Sequence, residues 1–129
     1  MSFDNDADEY KAMLAAIINS SDDAIISKSL DGIITSWNKA AERMFGYLEH
    51  EAIGKHISIL IPTERQSEED LIISSIRAGK RVEHYQTVRL TKTGKEVNIS
   101  LTVSPVINAQ NKINESLWNA SSHKIAPML

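Results

Sequence analysis

The run from Leu30 to Tyr47, L-D-G-I-I-T-S-W-N-K-A-A-E-R-M-F-G-Y, constrains the fold most, because it joins a turn, a strand and a helix closed by glycine with no spare residues. Asp31-Gly32 reads as a tight turn, since Gly enters φ > 0 without a Cβ clash, and Ile33 to Trp37 follows it as a β-rich run. Asn38 stands where a helix takes a side-chain cap. Ala40, Ala41, Met44 and Phe45 then fall on one helical stripe, and Gly46 sits where a left-handed C-cap is wanted.

Around this unit the chain divides cleanly. Residues 1 to 8 are acidic and polar and read as a frayed lead-in. Tyr10, Met13, Leu14, Ile17 and Ile18 recur at helical spacing, and Ser20-Ser21-Asp22-Asp23 stops that helix. Its apolar stripe has two readings, packing on the chain's own sheet or a seam with a second copy. Ala24 to Ser27 is a short strand. After Tyr47, Leu48 to Ile53 makes a helical turn whose Leu48 offers no side-chain cap, at a cost of roughly 1 kcal/mol. Ile57 to Ile61 is a compact turn stopped by Pro62. Thr63 to Ala78 is a longer helix with two overlapping capping-box starts, Thr63 with Gln66 and Ser67 with Asp70, and Leu71, Ile72, Ile73 and Ile76 give its inward face. A hairpin follows: Arg81 to Leu90 alternates, Thr91 to Lys95 turns at Gly94, and Val97, Ile99, Leu101 and Val103 share one face of the return strand. Pro105 ends the regular pairing, and Asn108 to Asn111 makes a further turn.

Strand, strand, three helical segments, then strands again is an α+β order, and the 129 residues allow one domain. The residues D-G-I-I-T-S-W-N-K-A-A-E-R-M-F-G-Y, continued by E-A-I-G-K and I-S-I-L-I-P, strongly resemble a PAS sensory domain of the S-box type. The resemblance covers about residues 20 to 107. It implies a five-stranded antiparallel sheet with helices on one face and an N-terminal flanking helix, divided as 1–22 tail and helix and 23–125 PAS domain. From about residue 108 the chain departs from the family pattern. N-K-I-N-E-S-L-W-N-A-S-S-H-K-I-A replaces the usual Gly, last strand and Asp-Ile-Thr ending; S-H-K-I-A echoes the last strand after an insertion, and Leu117-Trp118 reads as an exposed sticky segment.

Composition narrows function. A net charge of −3 and a pI near 5.8 lack the basic footprint of nucleic-acid binding. The absence of cysteine rules out disulfides and thiolate chemistry and suits a cytoplasmic setting. No signal peptide is read at the N-terminus, and the apolar runs are far short of the ~20 residues of a membrane span. His50, His56, His84 and His123 show no metal-site spacing. His50-Glu51 has no dimerisation helix around it to make a kinase phosphoacceptor, and the Lys92-Thr93-Gly94 triplet lacks the S-x-x-K of penicillin-binding enzymes. Glu68, Glu69 and Asp70 form a carboxylate run at a helix N-terminus that the helix dipole favours, a structural feature rather than a catalytic group. No catalytic constellation appears, so the chain reads as a non-enzyme.

The resemblance also filters cofactors. Light-sensing LOV members need a Cys where Ile57 stands, so a flavin adduct is excluded. Oxygen-sensing haem members carry an axial His where an ungapped match places Glu69, and no His lies between 57 and 83, so haem is disfavoured unless His56 or His84 serves. A non-covalent flavin, a small metabolite or an empty structural core stays open. In many PAS domains the residues matching Glu42 and Lys55 pair, and an ion pair is expected here. Candidate pocket or core residues are Ile34, Met44, Phe45, Ile57, Leu60, Ile72, Ile76, Leu101 and Val103. Tyr10, Met13, Leu14 and Ile17 are the candidate dimer helix. The resulting expectation is a sensory or interaction module of a bacterial signalling protein, a two-component sensor kinase or transcription regulator, acting as a homodimer on a downstream effector such as a histidine kinase. The alternative is a ligand-free homodimerisation module with a structural core.

Overall fold

A computed structural model describes residues 3–122, with side chains from residue 9. The elements are α1 (Phe3–Ser20), β1 (Ala24–Ser29), β2 (Ile34–Trp37), α2 (Lys39–Phe45), α3 (Glu49–Ala52), α4 (Gln66–Arg77), β3 (Val82–Leu90), β4 (Glu96–Ile107) and β5 (Ile113–Ser122). Two 3₁₀ turns, Ile57–Leu60 and Thr63–Arg65, link α3 to α4. The strands form one antiparallel sheet in the order β2-β1-β5-β4-β3. The last strand therefore sits in the middle, pairing with β1 and β4.

The opening motif folds as its residues dictate. Gly32 takes φ 91°, and its N–H donates to the Ser29 carbonyl. Asn38 caps α2 by accepting from the Ala41 N–H, and Gly46 closes it at φ 85°. The segment after α3 covers the open edge of β2: the Ile34 N–H donates to the Lys55 carbonyl and the Gly54 N–H to the Ile34 carbonyl, both at 2.9 Å. α2, the 3₁₀ turns and α4 enclose one apolar core against the inner sheet face, with Ile26, Phe45, Leu60, Ile76, Leu101 and Trp118 among its buried residues.

Several expectations change. Phe3 to Asp8 belongs to α1 rather than to a frayed lead-in. α1 does not lay its stripe on the sheet: Tyr10, Met13, Leu14, Ile17 and Ile18 are all exposed. On α4 Leu71 points to solvent, 71% exposed, and the inward positions are Glu69, Ile72 and Ile76. An i, i+3, i+7 stripe that starts two residues earlier, at Glu69, replaces the one drawn through Leu71, because Glu69 finds a charge partner inside. Pro105 stays within β4, opposite Ser116 of β5. The β3 pairing reaches no further than Val103, opposite Val82, so that edge of β4 demands no further N–H. Leu117-Trp118 is not a sticky surface segment: Trp118 is fully buried and Leu117 partly so, because residues 113–122 themselves form the last strand. The stretch expected to echo that strand, S-H-K-I-A, runs from its final residue into 123–126, outside the described residues, as do His123 and the expected domain limit at 125. Asn111, where the family pattern places Gly, adopts φ 62°, a left-handed conformation that Asn tolerates better than most side chains.

Candidate functional site

The inner face of the sheet carries more than an apolar core. In β1 alternate residues point inward, Ala24, Ile26 and then Lys28, and all three are fully buried. In β5 the inward positions are Ser116, Trp118 and Ala120, and Lys28 lies opposite Ser116. In β3 a bulge between Val82 and Tyr85, with His84 at φ 51°, sets the alternation so that Tyr85, Thr87 and Arg89 face inward, and Arg89 is also fully buried. Two cations thus sit at the floor of the fold.

α4 supplies their counter-charges. Glu69 Oε1 lies 2.5 Å from Lys28 Nζ. Glu68 Oε1 accepts from Arg89 Nη1 at 2.9 Å and from the Thr87 hydroxyl at 2.6 Å, and its Oε2 accepts from Arg65 Nη1 at 2.8 Å. Successive residues of one helix therefore reach to opposite sides of the sheet, β1 and β3. Burial pushes the Glu68 carboxyl up, but the hydrogen bonds from Thr87, Arg89 and Arg65 outweigh it and hold the group below its ordinary value. Burial and the neighbouring Glu68 charge raise the Tyr85 phenol. The Arg89 guanidinium carbon lies 5.4 Å from the Trp118 ring centre, a cation–π arrangement.

The cluster leaves hydrogen-bonding capacity unused. Among the described residues, Arg89 Nε and Nη2, Ser116 Oγ and Trp118 Nε1 have no partner, and the close contact between Lys28 and Glu69 lacks the direction of a hydrogen bond. Buried polar groups are normally satisfied, so this concentration is unusual. A cleft of about 200 Å³ touches the cluster at Glu69 and is otherwise lined by Leu30, Gly32, His56 and Ile73 among others. His56 Nδ1 accepts from the Ser58 N–H, and its Nε2 would lie 2.5 Å from a Cβ added at Gly32. Glycine at 32 therefore fits both the turn and the wall of this cleft.

The residues expected to line a pocket are brought together, but as packed core. Ile34, Phe45, Ile57, Leu60, Ile72, Ile76, Leu101 and Val103 are buried in one cluster, with Met44 against its edge. The expected Glu42–Lys55 ion pair does not form. Glu42 Oε2 accepts from the Glu49 N–H at 2.8 Å, while its Oε1 lies 3.6 Å from Lys39. The reason is the uncapped start of α3: Leu48 has no acceptor, so Glu42 and Glu51, the latter accepting from the Leu48 N–H, satisfy the free donors of that turn. Within the carboxylate run, Glu68 and Glu69 face the sheet, against Arg89 and Lys28. Lys28, Thr87, Arg89, Ser116 and Trp118 were outside the expected site. Lys28 was legible as the third inward position of a strand begun by Ala24 and Ile26; Arg89 was not, because the bulge decides which face it takes.

A family model for the PAS fold matches residues 12–121, nearly the whole chain. The chain belongs to the PAS family. Its core motif, its sheet order and its late central strand are those of a PAS domain, a sensory module. In sequence this PAS domain is similar to the sensor protein FixL of Bradyrhizobium diazoefficiens, with 42% identity over 64 residues, 50% of this chain and 13% of that protein. The match thus spans a small part of the relative's length. In structure it is similar to a PAS domain of a protein from Colwellia psychrerythraea, with a TM-score of 0.80, 23% identity, 88% of this chain and 97% of that chain covered. An RNA-binding Light-Oxygen-Voltage receptor matches with a TM-score of 0.77 and 20% identity over 88% of this chain and 33% of that one. These structural likenesses describe fold. His84 lies on the other face of the sheet, in a groove with Ser100 and Thr102. No helix among the described residues is long and apolar enough to cross a membrane.

Proposed function

We propose that this PAS domain is the sensory part of a signal-transduction protein, of the sensor-kinase kind, and that it binds a small ligand between α4 and the inner sheet face. The observation that carries this reading is the pair of fully buried cations, Lys28 and Arg89, met by two carboxylates of a single helix while several donors remain free. Burying such charges costs stability unless every group is satisfied, so the arrangement is better explained by a use than by packing. A ligand that binds one placement of α4 better than another shifts the population by its differential affinity alone.

Output runs through α1 in this reading. Its C-terminal end is tied to the domain, because Asn38 Nδ2 donates to the Ile18 carbonyl and the Lys39 N–H donates to Asn19 Oδ1. Tyr10, Met13, Leu14 and Ile17 face outward as an apolar stripe and form the seam with a second copy, and a histidine kinase is the effector type that the resemblance favours. The alternative, a ligand-free dimerisation module, uses the same stripe without the interior. Native mass spectrometry of protein purified without added ligand separates the two. An adduct of small, discrete mass that disappears on denaturation supports sensing; a dimer whose mass equals two bare chains supports the alternative.

A further inference from the structure

The free edge of Arg89 narrows the chemistry of the ligand. A guanidinium binds a carboxylate best through two parallel N–H donors, one of them Nε. Arg89 spends Nη1 entirely on the protein, donating to Glu68, Thr87 and the Val88 carbonyl. Its Nε and Nη2, the two atoms of that fork, are buried and without partners among the described residues. Trp118, whose ring lies under this guanidinium, also has an unused donor at Nε1. Two residues along β5 from Trp118, Ser116 faces Lys28 across the β1 pairing, and Ser116 Oγ has no partner among the described residues either. Free donors thus form a strip across the floor of the fold, with the buried charges positive and the carboxylates nearer the rim.

Glu69 shows how an oxyanion sits on that strip. Glu69 lines the cleft and its carboxylate contacts the buried Lys28, yet neither of its oxygens accepts a directed hydrogen bond. We infer that the ligand is a small carboxylate, seated on the Nε/Nη2 edge of Arg89 and balanced by Lys28, for which Glu69 is the chain's own weak competitor. This rests on the reading that a ligand binds under α4, and it adds the chemical class. Arrival of the carboxylate frees Glu69 from Lys28 and so releases the β1 side of α4, while Glu68 keeps the β3 side attached through Arg89 Nη1.

The test uses sodium acetate as the probe. Acetamide serves as its neutral isostere, and sodium chloride and inorganic phosphate are run at equal ionic strength and pH 7. Thermal midpoints and calorimetric titrations are measured on the full chain. Acetate should bind with a Kd on the order of 1 mM, as suits a ligand of so few atoms. At about 100 times that Kd it should raise Tm by roughly 5–10 °C over chloride. Glu69→Gln should tighten acetate about tenfold by removing the competing charge, whereas Arg89→Lys, which keeps the charge and loses the fork, should weaken it at least about tenfold. Equal shifts with acetamide, a larger shift with phosphate, or no acetate-specific shift in either the wild type or a folded Glu69→Gln variant would overturn the inference. If acetate fails while native mass spectrometry shows another bound molecule, the carboxylate class falls and the sensory reading stands.

Discussion

Asn38 joins four backbone groups from separate parts of the chain. Its Oδ1 accepts from the N–H groups of Ile25 and Ala41 at 2.9 and 3.0 Å, and its Nδ2 donates to the carbonyls of Ile18 and Asp23 at 2.9 and 3.0 Å. The sequence shows a helix cap here; that the same amide also holds the end of α1 and the start of β1 follows from tertiary approach and leaves no local trace. Asn38→Ala should therefore cost more than a lost cap, about 2–4 kcal/mol in urea denaturation, because buried and part-buried groups on three elements lose this partner together. A loss near 1 kcal/mol would reduce Asn38 to a cap alone. Glu68 offers a second test at this scale. Its folded pKa lies below the ordinary value near 4.3, so the carboxylate contributes stability above that pH and loses it as pH falls through the lowered value. The urea midpoint of wild type should exceed that of Glu68→Gln at pH 7, and the difference should shrink on acidification below about pH 4.5. A difference independent of pH would contradict the pairing with Arg89 and Thr87.

Among the elements, those with strong local signals were the most legible. The turn, strand and capped helix of Leu30 to Tyr47, the 3₁₀ turn before Pro62 and the inward set Ile99, Leu101 and Val103 all lie where periodicity and punctuation put them. α4 and β3 were legible as elements but not in their facing. Leu71 is as apolar as Ile72, and Val88 and Leu90 are more apolar than Thr87 and Arg89, yet in both elements the more polar residues turn inward to meet each other across the interior. Hydrophobic pattern assumes an apolar interior and misreads a strand that serves a polar one. α1 presents the opposite case, an apolar stripe without a partner. Ile17 is 59% exposed, so Ile17→Glu should leave circular dichroism and urea midpoint almost unchanged. If the proposed seam holds, the wild type should run as a dimer in sedimentation equilibrium and Ile17→Glu as a monomer. Persistence of the dimer would move the seam off α1.

At the scale of the molecule, the fold is a five-stranded sheet whose central strand comes last, so the interior is completed by the residues least like the family pattern. β5 contributes Ser116 and Trp118 to the floor, and β1 contributes Lys28 opposite Ser116. The architecture was readable because backbone punctuation is local; the polar interior was not, because it is assembled from β1, β3, β5 and α4, distant in sequence and each bland alone. The central claim is that these charges are kept for binding at the expense of stability. It is tested most directly by the urea unfolding free energy of Lys28→Met/Glu69→Met, which replaces the pair by apolar side chains of similar volume. Such replacements of buried ion pairs are commonly neutral or stabilising by about 1–4 kcal/mol. The account predicts a variant at least as stable as wild type. A loss of more than about 2 kcal/mol would contradict it, making the pair a structural bond between α4 and the sheet.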